Sequence, residues 1–384
     1  VAPTELDSTT ARIAGRTLAA LTRPSAGAVH PGVIVGRDAR TTSPRLAAAF
    51  IEGVLDEDVE VVDIGLASTD LVYFASGTRG MPGAMITASH NPGHYNGIKM
   101  CRAGAVPISW ETGLADVAAA LDAAEAGEGA SGGGRTVPGE RPAARPGQVT
   151  SVDLVGDYAD YLHQLVPLDG LRPLRVVIDA GNGMAGLTVP PVLAGTPIAV
   201  DGLYLDLDGR FPHHDANPLD TTTLVDLQRR VRDTDADLGL AFDGDADRCF
   251  VVDETGTLVT PSAITALIAE RELARHPGAP IIHNLITSRA VPEIIEAAGG
   301  QPVRTRVGHS FIKATMAESG AIFGGEHSGH YYFADFWRAD SGLLAAMHVL
   351  AALGETPAGT TLGSLVARYE RYSRSGEVNS TVRD

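Results

Sequence analysis

The densest chemistry in this chain lies in Asp243-Gly-Asp-Ala-Asp-Arg248. Three carboxylates at alternate positions follow an apolar run, Leu238–Phe242, that reads as a buried strand. Their mutual repulsion is costly without a cation. An all-oxygen donor set suits Mg²⁺, which commonly keeps positions open for a phosphate oxygen. Arg248 could take the same phosphate through its forked donors. An EF-hand competes, because Glu254 falls at the last ligand position of such a loop. However, Arg248 occupies the position that needs glycine, and strands rather than helices flank the segment. A solvated acidic turn is the plain alternative.

Thr87-Ala-Ser-His-Asn-Pro92 is the second reactive stretch. It follows the apolar run Ala84-Met85-Ile86, which puts Ser89 on a tight loop at a strand's carboxyl end, where open α/β sheets present their chemistry. Pro92 stiffens the loop. Asn96-Gly97-Ile98-Lys99 then supplies a turn and a cation. A serine beside a histidine and a lysine suggests a nucleophile or phosphate carrier; a polar turn with a surface lysine is the alternative.

Two further loops carry titratable groups. Gly325-Glu-His-Ser-Gly-His330 lies between short apolar strands. Glu326, His327, Ser328 and His330 suit sugar hydroxyls, and an imidazole suits acid/base work. Zinc competes, but the residues crowd one loop rather than standing at helical spacing. Gly308-His-Ser-Phe-Ile-Lys313 opens a helix whose first amides favour an anion; a capped, exposed helix end is the alternative for His309 and Lys313. Gly181-Asn-Gly-Met-Ala-Gly186 matches a dinucleotide fingerprint after the strand Arg175–Asp179. The helix after it is short and meets Pro190-Pro191, so a structural tight turn is preferred.

Strand–helix alternation must position these loops. Val33–Val35, Val59–Ile64 and Ala84–Ile86 read as strands, with helices at Ser43–Leu55 (Pro44 at its first turn), near Leu71–Ala75 and over Glu111–Ala126. A second unit has a helix at Val152–Val166, strands at Arg175–Asp179 and near Ile198, a helix at Thr223–Asp233 and the strand Leu238–Phe242. A third has helices at Pro261–Arg275, Ala290–Ala298, Ser310–Glu318 and Asp340–Leu353, with strands at Ile281–Leu285, Val303–Thr305 and Ile322-Phe323. Gly127–Gly147, rich in Gly, Pro and Arg, reads as a linker. Gly376–Val382 reads as a strand. The pattern predicts an α/β protein of three similar mixed-sheet domains around a central cleft, at residues 1–150, 151–255 and 256–361, with 362–384 the start of a fourth.

Composition narrows the partners. A formal charge of −17 argues against nucleic acid and anionic membranes. No apolar run reaches the ~18 residues of a membrane span and no signal-like segment opens the chain, so a cytoplasmic protein is expected. Two cysteines make neither a disulfide framework nor a zinc site. Of thirty cationic residues only Lys99 and Lys313 are lysine, the type that can lose its proton. Oligomeric state is left open between monomer and dimer.

Together and in this order, Thr87–Pro92 with Asn96–Lys99, Asp179–Gly186, Asp208–Pro212 with Asn217-Pro218, Asp243–Arg248, Gly308–Lys313 and Gly325–His330 resemble the α-D-phosphohexomutase superfamily. The branch most similar is bacterial phosphomannomutase/phosphoglucomutase. The resemblance implies a phosphohexomutase that interconverts hexose 1- and 6-phosphates of mannose or glucose. Ser89 would be the phosphoserine, and glucose or mannose 1,6-bisphosphate the intermediate. Asp243, Asp245, Asp247 and Ser89 would hold Mg²⁺, with Arg248 on the transferring group. Lys99 and His330 would move the hydroxyl proton. Glu326, Ser328, His309, Lys313, Arg37 and His90 would bind substrate. Phosphoglucosamine mutase, a sugar-phosphate-binding fragment without turnover and an aspartate-nucleophile phosphatase are the rival readings. The Tyr-Asp-Ile-Arg-Gly stretch and the Arg-x-Ser-x-Thr-Glu-Pro loop of the family's fourth domain are not found in the chain. The resemblance implies that both belong to a longer protein.

Overall fold

The computed structural model describes residues 6–24, 31–126 and 148–373. The expected linker at Gly127–Gly147 and strand at Gly376–Val382 lie outside the described residues.

The first unit is a six-stranded sheet, β5-β4-β3-β1-β2-β6, of β1 (Val33–Arg37), β2 (Val61–Leu66), β3 (Gly83–Ile86), β4 (Ile98–Arg102), β5 (Val106–Pro107) and β6 (Val149–Ser151). Its helices are α1 (Ser8–Leu21), α2 (Ser43–Leu55), α3 (Thr69–Arg79) and α4 (Ala115–Glu125). Strands β1, β2, β3 and β6 run parallel, and β3–β4–β5 are antiparallel. The second unit has β7 (Leu174–Asp179), β8 (Ile198–Leu203), β9 (Leu238–Phe242), β10 (Cys249–Asp253) and β11 (Leu258–Val259), ordered β11-β10-β9-β7-β8, with α5 (Val155–Leu165), α6 (Ala185–Leu193) and α7 (Val225–Asp233). The third has β12 (Pro280–Asn284), β13 (Gln301–Thr305), β14 (Phe323–Gly325), β15 (Tyr331–Phe333) and β16 (Ala339–Asp340), ordered β13-β12-β14-β15-β16. Its helices are α8 (Pro261–Arg275), α9 (Ala290–Ala297), α10 (His309–Ser319), α11 (Gly342–Gly354) and α12 (Leu362–Val366).

These are three copies of one topology. Each has a first strand flanked by parallel neighbours, and its third strand turns back into an antiparallel fourth. The mixed α/β class and the three-unit plan agree with the sequence reading. The helix expected to begin at Asp340 begins at Gly342 instead. Asp340 ends β16, and the Ser341 hydroxyl accepts from Leu344 N as the N-cap.

Helix α11 is apolar on every side, so it must be buried on every side. Leu343, Leu344, Met347 and Leu350 are each at most 1% exposed and belong to one apolar cluster shared by the three units. Each such side chain contributes about 1.5–3 kcal/mol on burial. Leu362 and Val366 of α12 join the same cluster. Glu370 accepts from Thr260 N and its hydroxyl, and Gly363 N donates to Glu254. Residues 362–372, expected to open a fourth domain, are therefore tied to the second and third units. Among the described residues no helix is long and apolar enough to cross a membrane.

Candidate active site

The third-to-fourth-strand loops of the three units meet. The loop of the first carries Thr87–Gly97, that of the second Asp243–Arg248, and that of the third Glu326–His330. An isolated antiparallel bridge joins Arg248 to His330, and Cys249 N donates to Gly329 O at 3.3 Å. A Cβ on Gly244 would stand 2.5 Å from Ser89 O, so only glycine allows the first two loops to close on each other.

Ser89 is 7% exposed and has φ of +51°, a left-handed conformation unusual outside glycine. Its Oγ donates to Asp243 Oδ2 at 2.7 Å, and His90 Nδ1 lies 3.4 Å from the same Oγ. Asp243, Asp245 and Asp247 are 0–1% exposed, with ligand oxygens all within 4.8 Å of one another. Burial, then the charges of Asp247 and Asp245, push the Asp243 carboxyl well above its usual range. Burial alone would raise Asp245 too, but the adjacent Lys99 ammonium and the Thr69 hydroxyl (2.5 Å) hold it well below.

Lys99 Nζ bridges Asp245 Oδ2 at 2.7 Å and Asp247 Oδ2 at 2.6 Å. Burial works against its charge, yet the two carboxylates outweigh that and raise it well above an ordinary lysine. Held so, Lys99 stands as a cation shared by the two carboxylates. Asp245 Oδ1 and Asp247 Oδ1 are buried without a hydrogen-bond partner. Buried, unpaired carboxylate oxygens are costly unless they have another use, and a bound cation is one. The donor set thus fits a hard divalent ion. The strands β9 and β10 flank it, which removes the EF-hand alternative.

Arg248 NH2 donates to His90 Nδ1 at 2.8 Å, and its Nε lies 3.5 Å from Asp243. Burial and that guanidinium lower His90 to about 4, so it stays neutral. His330 Nδ1 lies 3.0 Å from Asp340 Oδ2, which favours the tautomer with its proton on Nδ1 and leaves Nε2 as the basic nitrogen. Glu326 is buried, accepting from Tyr332 OH at 2.7 Å and from Asn284 and Gly308 N at 3.3 Å each. Ser328 is half-buried on the same loop, Arg37 is half-buried at the end of β1, and His309 is the first residue of α10.

Lys313, expected to bind substrate or else to be an exposed helix end, is neither exposed nor unpaired. It is 4% exposed, pairs with Asp340 Oδ1 at 2.9 Å and lies 4.0 Å from the Tyr73 ring centroid. It holds the carboxylate that holds His330. Residues the sequence reading missed have the same supporting character. Thr69 fixes Asp245 and Asp340 fixes His330. Asp70 is buried and accepts from Ser68, from Tyr158 OH at 2.6 Å and from Ser341 Oγ at 2.6 Å, one side chain from each unit. Ser68 preceding Thr69-Asp70 was a legible helix N-cap. The cross-unit partners were not legible. The glycine motif has a structural explanation: a Cβ on Gly183 would stand 2.7 Å from Gly244 O, and Met184 N donates to that carbonyl.

A serine held against a buried aspartate triad, with arginine and histidine beside it, is an arrangement suited to phosphoryl transfer, and it lies at the junction of repeated α/β units. Residues 1–126 match phosphoglucomutase/phosphomannomutase alpha/beta/alpha domain I, residues 156–256 domain II and residues 260–372 domain III. The phosphomannomutase of Salmonella montevideo is 39% identical over 357 residues, 91% of this chain and 75% of that protein. That of Escherichia coli K12 is 39% identical over 359 residues, with the same shares. A solved phosphoglucomutase/phosphomannomutase family protein from Burkholderia thailandensis superposes with a TM-score of 0.81 at 30% identity, covering 94% of this chain and 76% of that one. The chain belongs to the phosphoglucomutase/phosphomannomutase family, within the α-D-phosphohexomutase superfamily. It is a phosphohexomutase, an isomerase of carbohydrate metabolism.

Proposed function

We propose that the enzyme interconverts hexose 1-phosphate and hexose 6-phosphate, of mannose, glucose or both, with Ser89 as the phosphate carrier. The observation that carries this is the 2.7 Å contact of Ser89 Oγ with Asp243, beside two more buried carboxylates. Phosphorylated Ser89 gives its phosphoryl group to a sugar hydroxyl. The 1,6-bisphosphate so formed turns over in the cleft and returns its other phosphate to Ser89. Arg248, 10% exposed at its side chain and already facing Ser89's neighbour His90, supplies fixed positive charge to the group in transfer. His330 Nε2 takes the proton of the attacking hydroxyl, steadied through Nδ1 by Asp340. Glu326 and Ser328 bind ring hydroxyls, and His309 and Arg37 meet the phosphate that is not reacting.

Asp243, Asp245, Asp247 and Ser89 would hold Mg²⁺. Bound there, it would offset the negative charge of the transferring phosphoryl group. Lys99, paired with Asp245 and Asp247, would add a second positive charge beside that group. We also place the enzyme in the cytoplasm and divide its working units at residues 150 and 255.

The test is ³¹P NMR of the chain with glucose 1-phosphate or mannose 1-phosphate, Mg²⁺ and a trace of the matching 1,6-bisphosphate. Growth of the 6-phosphate signal, absent in Ser89→Ala, is the expected result. Free phosphate released equally by wild type and Ser89→Ala would favour hydrolysis by an aspartate nucleophile instead. Turnover of glucosamine 1-phosphate alone would move the substrate to the amino sugar.

A further inference from the structure

Two stretches remain unexplained by this chemistry: Asp38-Ala-Arg40, just after β1, and Asp208-Gly-Arg-Phe-Pro212. The structure brings them together behind Ser89. Arg40 is 0% exposed, so it touches neither solvent nor substrate. All five of its guanidinium N–H donors are used. Nε donates to Asp38 at 2.9 Å. One terminal nitrogen donates to the carbonyls of Pro92 (2.7 Å) and Tyr95 (3.1 Å). The other donates to those of Ser89 and Asn91, both at 2.7 Å. A single side chain thus gathers four carbonyls of the serine loop. Asp38, which orients it, is itself fixed by Arg40 N and the Ser43 hydroxyl.

The second stretch closes over this clamp from the neighbouring unit. The Phe211 ring lies 5.0 Å from the Arg40 guanidinium carbon. A Cβ on Gly209 would stand 2.2 Å from Arg40 Cα, so the backbones touch. Phe211 and Ser89 both have φ of +51°. Left-handed conformations in such residues persist only where the surroundings over-determine them, and they gather at functional sites.

We infer that Arg40, capped by Phe211, is the positioning residue that casts the Ser89 loop into its reactive shape. Its donors are spent on the loop's backbone, so it acts on the geometry of phosphoryl transfer and not on sugar binding. Lysine cannot replace it: three donors cannot serve five acceptors, and a flexible ammonium has no fork. A displacement of Ser89 of about 1 Å costs on the order of 10²-fold in rate.

The inference rests on Ser89 as phosphate carrier, so Arg40→Lys, Phe211→Leu and Ser89→Ala are measured side by side in the full chain. The readouts are kcat and KM for glucose 1-phosphate and, by mass spectrometry, the fraction of serine phosphorylated by glucose 1,6-bisphosphate. Arg40→Lys is expected to lose about 10²-fold in kcat per phosphorylatable serine. Phe211→Leu is expected to lose about tenfold. KM should stay near wild type in both. If Arg40→Lys does not fold, Phe211→Leu decides. Wild-type kcat in either folded variant, or a loss confined to KM, overturns the clamp. An inactive Ser89→Ala beside a fully active Arg40→Lys overturns the clamp alone. Turnover by Ser89→Ala overturns the carrier reading and the clamp with it.

Discussion

Replacing Lys99 with methionine should tighten divalent metal binding while lowering turnover. The ammonium sits 2.7 Å and 2.6 Å from Asp245 and Asp247, the carboxylates proposed to hold the metal. At an effective dielectric of about 20, a contact at this range is worth roughly 6 kcal/mol before desolvation. Burying the ammonium returns much of that, and breaking a buried pair costs about 3–5 kcal/mol in measured cases. An entering divalent ion must overcome part of this pairing. Methionine keeps the length of the side chain and removes the competitor, so we expect about 10- to 100-fold tighter binding, or 1.4–2.7 kcal/mol. The gain should shrink as pH falls. Lys99 is the main influence holding Asp245 low, and without it that carboxyl takes up a proton the metal must displace. Calorimetric titration of Mg²⁺ or Mn²⁺ into both proteins, at two pH values, reads this directly. Equal or weaker metal affinity in Lys99→Met would refute the competition. A fall in kcat despite tighter binding would place Lys99 in the reaction itself.

Three further outcomes follow from the supporting residues. Asp340→Asn leaves Lys313 buried without its 2.9 Å charged partner and removes the carboxylate that anchors His330 at 3.0 Å; denaturant unfolding should show a loss of about 3–5 kcal/mol in stability. Asp70→Asn faces three hydroxyl donors, from Ser68, Tyr158 and Ser341, with one fewer acceptor oxygen. Burial already raises this carboxyl to about 6. Denaturant unfolding should show a loss of about 1–3 kcal/mol, and a neutral result would show that the three-unit junction does not depend on it. His348, stacked on Phe333 in the core, is held neutral by burial, which lowers it to about 3. The unfolded chain binds its proton below about pH 6.5 and the folded chain does not, so stability falls as pH drops. At about pH 5.5 this costs ~1.4 kcal/mol. His348→Leu should flatten the stability–pH slope between about pH 7.5 and 5.5, although Glu272, raised by burial, runs the other way. An unchanged slope would refute it.

Much of the fold was legible because strand–helix alternation is a local property. Leu238–Phe242 and Pro261–Arg275 coincide with the structure to the residue, since each is bounded by an apolar run or a Thr–Pro cap. The chemistry was legible where it is carried by one loop, as in Asp243–Arg248. What stayed hidden is everything that depends on the other two units. Lys313 read as a substrate contact, or failing that an exposed helix end, because the segment Gly308–Lys313 opens a helix. It is buried because Asp340 and Tyr73, from elsewhere in the chain, surround it. Arg40 read as one more arginine after a strand, although four of its five donors fix the loop around Ser89 some fifty residues later.

The repeated topology accounts for the division between what could and could not be read. No strict sequence repeat marks the three units, yet in each the third-to-fourth-strand loop carries one part of the candidate site: the Ser89 loop, the acidic cluster or the imidazole loop. The second unit cannot neutralise its acidic cluster alone. The Asp243 loop holds three carboxylates whose nearest cations are Lys99, from the first unit, and Arg248, aimed at His90 of the first. The His330 loop takes its orientation from Asp340, which pairs with Lys313, whose ammonium in turn lies over the Tyr73 ring of the first unit. The acidic cluster gains Lys99 only when the first two units meet, so the forces that assemble this part of the site also dock those units. A substitution that unbalances one loop should therefore loosen the junction as well as slow the reaction. Lys99→Met tests this most cleanly: without metal it should lower the melting temperature, and added Mg²⁺ should restore more of it than in the wild type.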